Sequence, residues 1–306
     1  MNNKYLVSDP NFVPAKKSRK KIATSVVYYI VGAIISLSFI LPLLYMFAAS
    51  TKSDEAIYQS MGKVTMFLPD FTDLPNVFNN YVKLFTEREI WKNALNSILY
   101  AAIVIVFNVL VNGLAGYVLA KFHFPAKGFF SFVILFLIVV PVETSIVPLW
   151  MIVQVMLGIE GEFSFVAVIL PSIISVFNIF LFTQFFSSIP KEYEEAMHID
   201  GSSRVRVFFD LILPLSKPIV ATTMVFTFIG VWNDYVWPST VIDQDYSNLL
   251  PIQAALTAIQ SASSAEGVTN GMKMASLVIT TLPIFIIYAL AQKYIVKGFG
   301  SAGLKL

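Results

Sequence analysis

Nine charged side chains lie between Pro190 and Pro218 of a chain that is otherwise largely apolar. Of its 306 residues, 57% are hydrophobic and 13% are charged. Charged groups need water or an opposite charge, because an isolated charge in an apolar medium is very costly. We therefore expect this charged segment, residues 190–218, to lie in water and to meet a partner there. Its charged residues are Lys191, Glu192, Glu194, Glu195, Asp200, Arg204, Arg206, Asp210 and Lys217.

The spacing inside the charged segment predicts two short helices joined at a glycine. Pro190 suits a first helical residue, where its missing N–H would be unpaired anyway. Gly201 ends the first helix, since glycine adopts the left-handed conformation that other residues resist. Ser202 or Ser203 can cap the second helix, which ends at Pro214. A surface hairpin that merely joins two membrane helices would show the same spacing.

Polar side chains inside the apolar runs form a second candidate site. Such residues are costly in a membrane and tend to face protein or a water-filled cavity. The aromatic rings of residues 232–238 could stack on a solute, while Asn233 or Asp234 hydrogen-bonds its hydroxyls. Aromatic residues also gather at the membrane interface, which would explain these rings equally well. A proton relay through Glu143, the one acid expected well inside a span, would need other ionisable groups deep in the spans, and the sequence offers none. The candidates for a solute pathway are Asn108, Glu143, Asn178, Trp232, Asn233 and Asp234.

Six long apolar runs must position these residues. A spanning helix needs about 20 apolar residues for a bilayer core of about 30 Å. The runs are too long and alternate too poorly for barrel strands. The sequence therefore predicts an all-α polytopic membrane protein with six transmembrane helices. The predicted spans are 24–48, 95–119, 129–157, 164–187, 218–238 and 274–296.

The distribution of Lys and Arg predicts the orientation of the chain. Fifteen of the 21 such residues fall before the first span, in loops 121–127 and 188–217, or after residue 292. The positive-inside rule then places both termini in the cytoplasm. We expect a cytoplasmic segment, a six-helix transmembrane domain with two outer loops, and a short cytoplasmic tail. Their bounds are 1–22 for the segment, 23–298 for the domain, 50–94 and 239–273 for the outer loops, and 299–306 for the tail.

Several kinds of site are excluded by composition. The chain has no Cys and only two His, so thiolate chemistry is excluded and a metal site is not expected. The basic run 16–21 precedes a span and serves as a topology anchor, so nucleic-acid binding is not expected. The single Gly-Lys pair, Gly62-Lys63, lacks the surrounding P-loop pattern. We expect no cofactor and no ATP hydrolysis by this chain.

The charged segment also carries a family motif. Glu195-Ala196-Met197, Gly201 and Leu211-Ile212-Leu213-Pro214 follow one register. It resembles the EAA motif of ABC-importer permeases: Glu-Ala-Ala, three residues, Gly, about nine residues, then Ile-x-Leu-Pro. Met197 stands for the second Ala and Leu211 for Ile, and both changes are conservative.

A wider resemblance covers most of residues 25–300. The chain is similar there to carbohydrate-importer permeases of the maltose-permease type, whereas its ending GFGSAGLKL departs from the usual small-residue ending. The features that carry the resemblance are Pro190-Lys191-Glu192, Trp232-Asn233-Asp234, Asn80-Tyr81-Val82, Asn96-Ser97 and Val296-Lys297-Gly298.

The resemblance implies a type I ABC importer fold and a function. Loop 188–217 would be the coupling helix that docks on an ATPase subunit. The implied partners are a second permease subunit, two ATPase subunits, an extracytoplasmic binding protein and a carbohydrate, in a bacterial plasma membrane with its lipid. The residues implied in coupling are Glu192, Glu195, Ala196, Met197, Asp200 and Gly201, with Leu213 and Pro214 setting the return to the fifth helix.

Other functions stay open from the sequence. An ABC permease could carry a polyol, a phosphodiester or an osmolyte instead of a sugar. A proton-coupled transporter would need a chain of buried ionisable groups. A membrane-embedded enzyme is weaker still, because the spans hold no paired carboxylates, metal ligands or nucleophile–base set.

Overall fold

A computed structural model describes the backbone of residues 19–71 and 76–303, and the side chains of 24–71 and 76–292. Residues 1–18 of the expected N-terminal segment and 304–306 of the expected tail lie outside the described residues. All regular structure in the described part is helical. The helices are α1 Arg19–Ser50, α2 Asp54–Ser60, α3 Asn79–Thr86, α4 Ile90–Lys121, α5 Lys127–Val139, α6 Ile146–Trp150, α7 Ser164–Ser172, α8 Val176–Ser187, α9 Glu192–Ile199, α10 Arg204–Val207, α11 Leu213–Leu215, α12 Lys217–Asn233, α13 Val236–Val241, α14 Ile252–Ser261 and α15 Asn270–Gly303.

Four described stretches are long and apolar enough to cross a membrane as one helical unit. They are Thr24–Ser50, Ile90–Lys121, Gly161–Ser187 and Asn270–Gln292. Two bent pairs could supply two more spans. One pair joins α5 to the stretch Val142–Met156 at 103°, and the other joins Arg204–Leu215 to α12 at 84°. The described chain therefore has between four and six candidate spans, and each predicted apolar run overlaps one of them.

Three of the predicted runs are interrupted in the structure: 129–157, 164–187 and 218–238. Run 164–187 is divided into α7, which ends at Ser172, and α8, which begins at Val176. Run 129–157 is broken after Val139, and Pro141 lies at the break. Pro148 lies inside α6, and a π-helical turn, Met151–Met156, follows. Run 218–238 ends early, because α12 stops at Asn233. At these breaks, backbone N–H and carbonyl groups lose the hydrogen-bond partners that a continuous helix would give them.

Helix α4 lies at the centre of the bundle. It packs against α7, α8, α12 and α14, while α1 packs on α15, and α15 also contacts α12. Gly116 of α4 permits a close approach to α8, since a Cβ there would lie 2.6 Å from the Cβ of Phe182. Small residues at such crossings let membrane helices pack backbone to backbone. The α4–α8 pair is thus a tightly packed unit.

The end of α1 is held by a buried lysine. Lys52 Nζ donates to the carbonyl oxygen of Thr65 at 2.7 Å and to Ser60 Oγ at 3.3 Å. Asn80 Nδ2 donates to the carbonyl oxygen of Lys52 at 3.0 Å. Burial lowers the pKa of Lys52, and the charge of Asp70 opposes this shift. These bonds fix the region between α1 and α3, which the sequence assigned to an outer loop.

Candidate functional site

The charged segment forms two short helices around a left-handed glycine, as predicted. Helix α9 begins at Glu192 rather than at Pro190, with Lys191 as its N-cap. Gly201 has φ +78°, and its N–H donates to the carbonyl oxygen of His198. Ser203 caps α10, since its Oγ accepts from the N–H of Arg206 at 3.3 Å. The elbow at Gly201 therefore depends on a conformation that costs other residues energy.

The residues implied in coupling lie on the surface of this segment, apart from Met197 and Leu213, which are half-buried. Two large apolar side chains lie among them: Tyr193 is 55% exposed and Ile199 is 87% exposed. Large apolar groups on a charged segment are typical of a contact surface. The exposed coupling residues are Glu192, Glu195, Ala196, Asp200, Gly201 and Pro214.

Glu194 corrects the expectation that all nine charges lie in water. Its side chain is buried, and its Oε1 lies 2.7 Å from Lys121 Nζ at the end of α4. Tyr117 OH donates to Glu194 Oε2 at 3.3 Å. The sequence could not show this, because the two partners come from another helix. A charge that is paired and hydrogen-bonded tolerates burial.

The return from the charged segment follows a sharp bend. A π-helical turn, Phe208–Ile212, leads into α11, which contains Leu213 and Pro214. The chain then bends by 84° into α12. Ser216 lies at this bend, and its N–H donates to the carbonyl oxygens of Ile212 and Leu213. Leu213 and Pro214 therefore lie next to the bend, as the resemblance implies.

A cavity of ≈ 420 Å³ lies where three helix breaks meet. The break between α5 and α6 contributes Val142 and Ser145, that between α7 and α8 contributes Ser175, and that between α12 and α13 contributes Asp234. Irregular backbone at membrane depth is tolerated only where it is buried in protein or faces water. Three such breaks around one space mark it as the candidate solute site.

Asparagine side chains of α4 satisfy the backbone at one of these breaks. Asn108 Nδ2 and Asn112 Nδ2 donate to the carbonyl oxygen of Ile173 at 3.0 and 2.8 Å. Asn112 Oδ1 accepts from the N–H of Ser175 at 3.0 Å. Both asparagines are buried. Asn108 and Asn112, four residues apart on α4, therefore pair with the opened backbone between α7 and α8.

Asn178 continues this network along one side of the cavity. We call this side the cavity floor; it is formed by Asn108, Asn178 and Thr227. Its Nδ2 donates to Asn108 Oδ1 at 2.8 Å and to Thr227 Oγ1 at 2.9 Å, which ties α8 to α4 and α12. Its own Oδ1 is buried and accepts no hydrogen bond from the described residues. A buried oxygen without a partner is costly. The amide of Asn178 links α4, α8 and α12 at the edge of the cavity.

Asp234 is the only charged side chain among the described residues that line the cavity. It also lies two residues before α13 and caps its first turn, because its Oδ1 accepts from the N–H of Trp237 at 3.3 Å. Rings of Phe177, Phe226 and Trp237 line the same space. A carboxylate beside aromatic faces can hydrogen-bond hydroxyl groups while the rings cover the apolar side of a solute.

The three other pathway candidates do not line the cavity. Trp232 is buried in a different core, where its Nε1 donates to the carbonyl oxygen of Thr280 at 3.0 Å. Asn233 is exposed and accepts from Gln253 Nε2 at 3.3 Å. Glu143 is exposed in the break between α5 and α6, beside the lining residues. The sequence therefore groups six residues, of which the structure brings Asn108, Asn178 and Asp234 together.

Sequence reasoning missed Thr227 and Ser145 of the cavity. Thr227 is one of three threonines in an otherwise apolar stretch of α12, after Thr222 and Thr223, so the sequence does not single it out and only its bond to Asn178 reveals it. Ser145 follows Glu143 and Thr144 in a polar run, which was a usable signal. No group of three or more metal-ligating side chains occurs among the described residues.

The family model of binding-protein-dependent transport system inner membrane components matches residues 112–301. The probable ABC transporter permease protein YurM of Bacillus subtilis is 31% identical over 305 residues, covering 98% of this chain and 95% of that protein. The arabinooligosaccharides transport system permease protein AraQ of Halalkalibacterium halodurans is 28% identical, covering 89% of this chain and 94% of that protein. The sn-glycerol-3-phosphate transport system permease protein UgpE of Pectobacterium atrosepticum is 36% identical over 67% of this chain and 70% of that protein.

A solved structure shows the same fold. One chain in the crystal structure of a bacterial ABC transporter for import of the acidic polysaccharide alginate aligns with a TM-score of 0.77. The alignment covers 91% of this chain and 99% of that chain at 23% identity. The apolar helices fit a multi-pass protein of the bacterial plasma membrane. The chain therefore belongs to the binding-protein-dependent transport system inner membrane components, the family of ABC-importer permeases.

Proposed function

We propose that this chain is one of two permease subunits of an importer for a neutral carbohydrate, driven by ATP hydrolysis on separate subunits. It would form half of the solute path and receive its movement through the charged segment. A second permease subunit, two ATPase subunits and an extracytoplasmic binding protein complete this proposed assembly. Membership of the permease family supports the proposal, and the cavity and the exposed elbow support the two roles.

The proposed topology has six spans and both termini in the cytoplasm. Each bent pair then counts as one span, which brings the candidate spans to six. The excess of Lys and Arg in the sequence segments assigned to the cytoplasm supports this orientation. Loop 188–217 then faces the cytoplasm, where ATPase subunits are found.

Coupling would use the exposed face of α9 and the elbow at Gly201. Glu192, Glu195 and Asp200 offer carboxylates to basic groups of an ATPase, and exposed Ile199 offers an apolar contact. Together they fit a cleft with a polar rim and an apolar floor. A short rigid helix of this kind can transmit closure of a soluble subunit to a membrane bundle.

The charge of the cavity supports a neutral solute. Asp234 would repel a phosphate or carboxylate group, and no basic side chain among the described residues lines the space. The aromatic lining suits the apolar faces of sugar rings. The single carboxylate of Asp234, in a lining without basic side chains among the described residues, is the observation that carries the proposal.

The test is uptake by the complete importer, purified with its own ATPase subunits and binding protein, in proteoliposomes. Neutral oligosaccharides, polyols, glycerol 3-phosphate and a phosphodiester would be offered separately, with and without internal ATP. We expect ATP-dependent uptake of a neutral oligosaccharide only. Preferential uptake of a phosphate ester would overturn the substrate class. Uptake without ATP that follows a proton gradient would overturn the proposed energy source.

A further inference from the structure

Glu194 differs from every other acidic residue of the charged segment, since the others are exposed. Its ion pair with Lys121 spans 2.7 Å, and the side chains of Lys121 and Glu194 are 5% and 12% exposed. The neighbouring pair in the segment, Arg206 with Asp210, lies on one helical face and is largely exposed. Exposed pairs contribute little, whereas loss of one partner from a buried pair leaves an uncompensated charge.

Lys121 joins three parts of the molecule. It is the last residue of α4, and its Nζ also donates to the carbonyl oxygen of Ile189, after the end of α8, at 2.6 Å. Tyr117 lies one turn earlier on the same face of α4 and donates to Glu194. The end of α4 therefore holds both the chain entering the charged segment and the first helix of that segment.

The second arm of the charged segment meets the same turn of α4. The ring of Phe208 lies 5.5 Å from the ring of Tyr117, centroid to centroid, and Phe208 is fully buried. Phe186 of α8 contacts Phe208 edge to face at 6.4 Å. Both arms, before and after the Gly201 elbow, are therefore fixed to one end of α4.

Helix α4 runs from these contacts at Lys121 and Tyr117 back to the cavity floor. Asn112 and Asn108 lie on α4 roughly two and four turns before Lys121, or about 14 to 20 Å at 1.5 Å per residue. Asn108 accepts from Asn178, and both asparagines hold the broken backbone at Ile173. The tight contact of Gly116 with Phe182 keeps α4 and α8 in fixed register between the two sites.

We propose that Glu194, Lys121 and Tyr117 form a joint that fixes the charged segment to α4, so that movement of the segment reaches the cavity floor through α4. Glu194 and Lys121 are positioning residues in this scheme. They do not contact the solute or ATP. The proposal rests on the proposed function, since it assumes that the charged segment is moved by an ATPase.

The experiment compares variants of the complete importer in proteoliposomes. Glu194→Gln and Lys121→Met each break the pair, and the double variant Glu194→Lys with Lys121→Glu restores it with reversed sign. Glu89→Gln breaks the exposed Glu89–Lys92 pair near the start of α4 and is the matched control. Solute transported per ATP hydrolysed is measured for each, together with hydrogen–deuterium exchange of α9.

We expect Glu194→Gln and Lys121→Met to lower solute transported per ATP at least tenfold while ATP hydrolysis stays within threefold. Exchange of the α9 amides should rise at least tenfold. The reversed pair should recover both readouts to within about threefold of the wild type, and Glu89→Gln should leave them unchanged. A single variant that transports per ATP like the wild type, or a reversed pair no better than the single variants, would overturn the joint.

Assembly failure and failure of the proposed function are separable outcomes. If Glu194→Gln does not assemble, Tyr117→Phe removes only the hydroxyl, and we expect a two- to fivefold loss of coupling from it; no loss would count against the joint. If the wild-type importer shows no ATP-driven uptake, the proposed function fails. The exchange of α9 in the single variants and the reversed pair then still decides whether the joint exists.

Discussion

At the scale of single residues, Asp234 has two roles that substitutions can separate. Its Oδ1 caps the first turn of α13 from two residues before the helix, and its charge faces the cavity. Asp234→Asn keeps a capping oxygen and removes the charge, so we expect about a tenfold loss of uptake with normal thermal stability. Asp234→Ala also removes the cap, which costs about 1 kcal/mol, and should lower the melting temperature as well.

The control for this prediction is Asp243→Asn, which removes an exposed carboxylate that does not line the cavity. Uptake should be unchanged in this variant. If Asp234→Asn also transports like the wild type, the carboxylate has no part in solute binding and only the cap remains as its role.

Gly116 gives a second residue-scale prediction. A methyl group there would lie 2.6 Å from Phe182 Cβ and 3.1 Å from the backbone nitrogen of Thr183. Overpacking of this kind costs about 1–3 kcal/mol, so Gly116→Ala should lower the melting temperature of the purified subunit. Gly32→Ala is the matched control, because a Cβ on α1 meets nothing within 4 Å. Equal melting temperatures for the two variants would show that the α4–α8 contact is looser than described.

At the scale of elements, the elbow between α9 and α10 depends on backbone conformation alone. Gly201 has φ +78°, and an added Cβ would meet no atom within 4 Å. A left-handed β-branched residue costs about 1–2 kcal/mol, which corresponds to roughly a 5–30-fold change in population. Gly201→Val should therefore reduce coupled uptake by about that factor. Gly201→Asn should be milder, because Asn tolerates the left-handed region.

The measurement is uptake together with co-purification of the ATPase subunits. A strained elbow should weaken both in Gly201→Val and affect Gly201→Asn less. Equal losses in the two variants would indicate a side-chain clash with the partner instead of backbone strain. Wild-type uptake by Gly201→Val would remove the elbow from the coupling mechanism.

Elements were predictable from the sequence to different degrees. Hydropathy predicts that an apolar run exists, so all six runs overlap observed helical stretches. Hydropathy does not show where a helix breaks in the absence of a proline, and the break after Asn233 was missed for this reason. The break at 173–175 is held by Asn108 and Asn112 of another helix. Such contacts are absent from any local pattern.

At the scale of the whole molecule, the sequence predicted sites better when they faced water. The elbow at Gly201 follows from local rules of capping and glycine conformation, and its position was correct. The pairing of Glu194 with Lys121 depends on how α4 and α9 meet, so charge alone pointed to the wrong environment. The cavity needs three helix breaks to meet. Polarity selected Asn108, Asn178 and Asp234 for it and missed Thr227 and Ser145.

The proposed six-span topology can be tested cleanly because the chain has no Cys. Each single-Cys variant then carries one thiol, at a position that is exposed in the described structure. Glu55→Cys and Asp243→Cys lie in the proposed outer loops, so a membrane-impermeant maleimide should label them in intact spheroplasts. His123→Cys and Asp210→Cys lie at the proposed cytoplasmic end and should react only after the membrane is opened. Labelling of Asp210→Cys from outside would invert the chain and place the charged segment away from any ATPase. Labelling of Glu55→Cys and Asp243→Cys on opposite sides would mean that one bent pair does not cross the membrane.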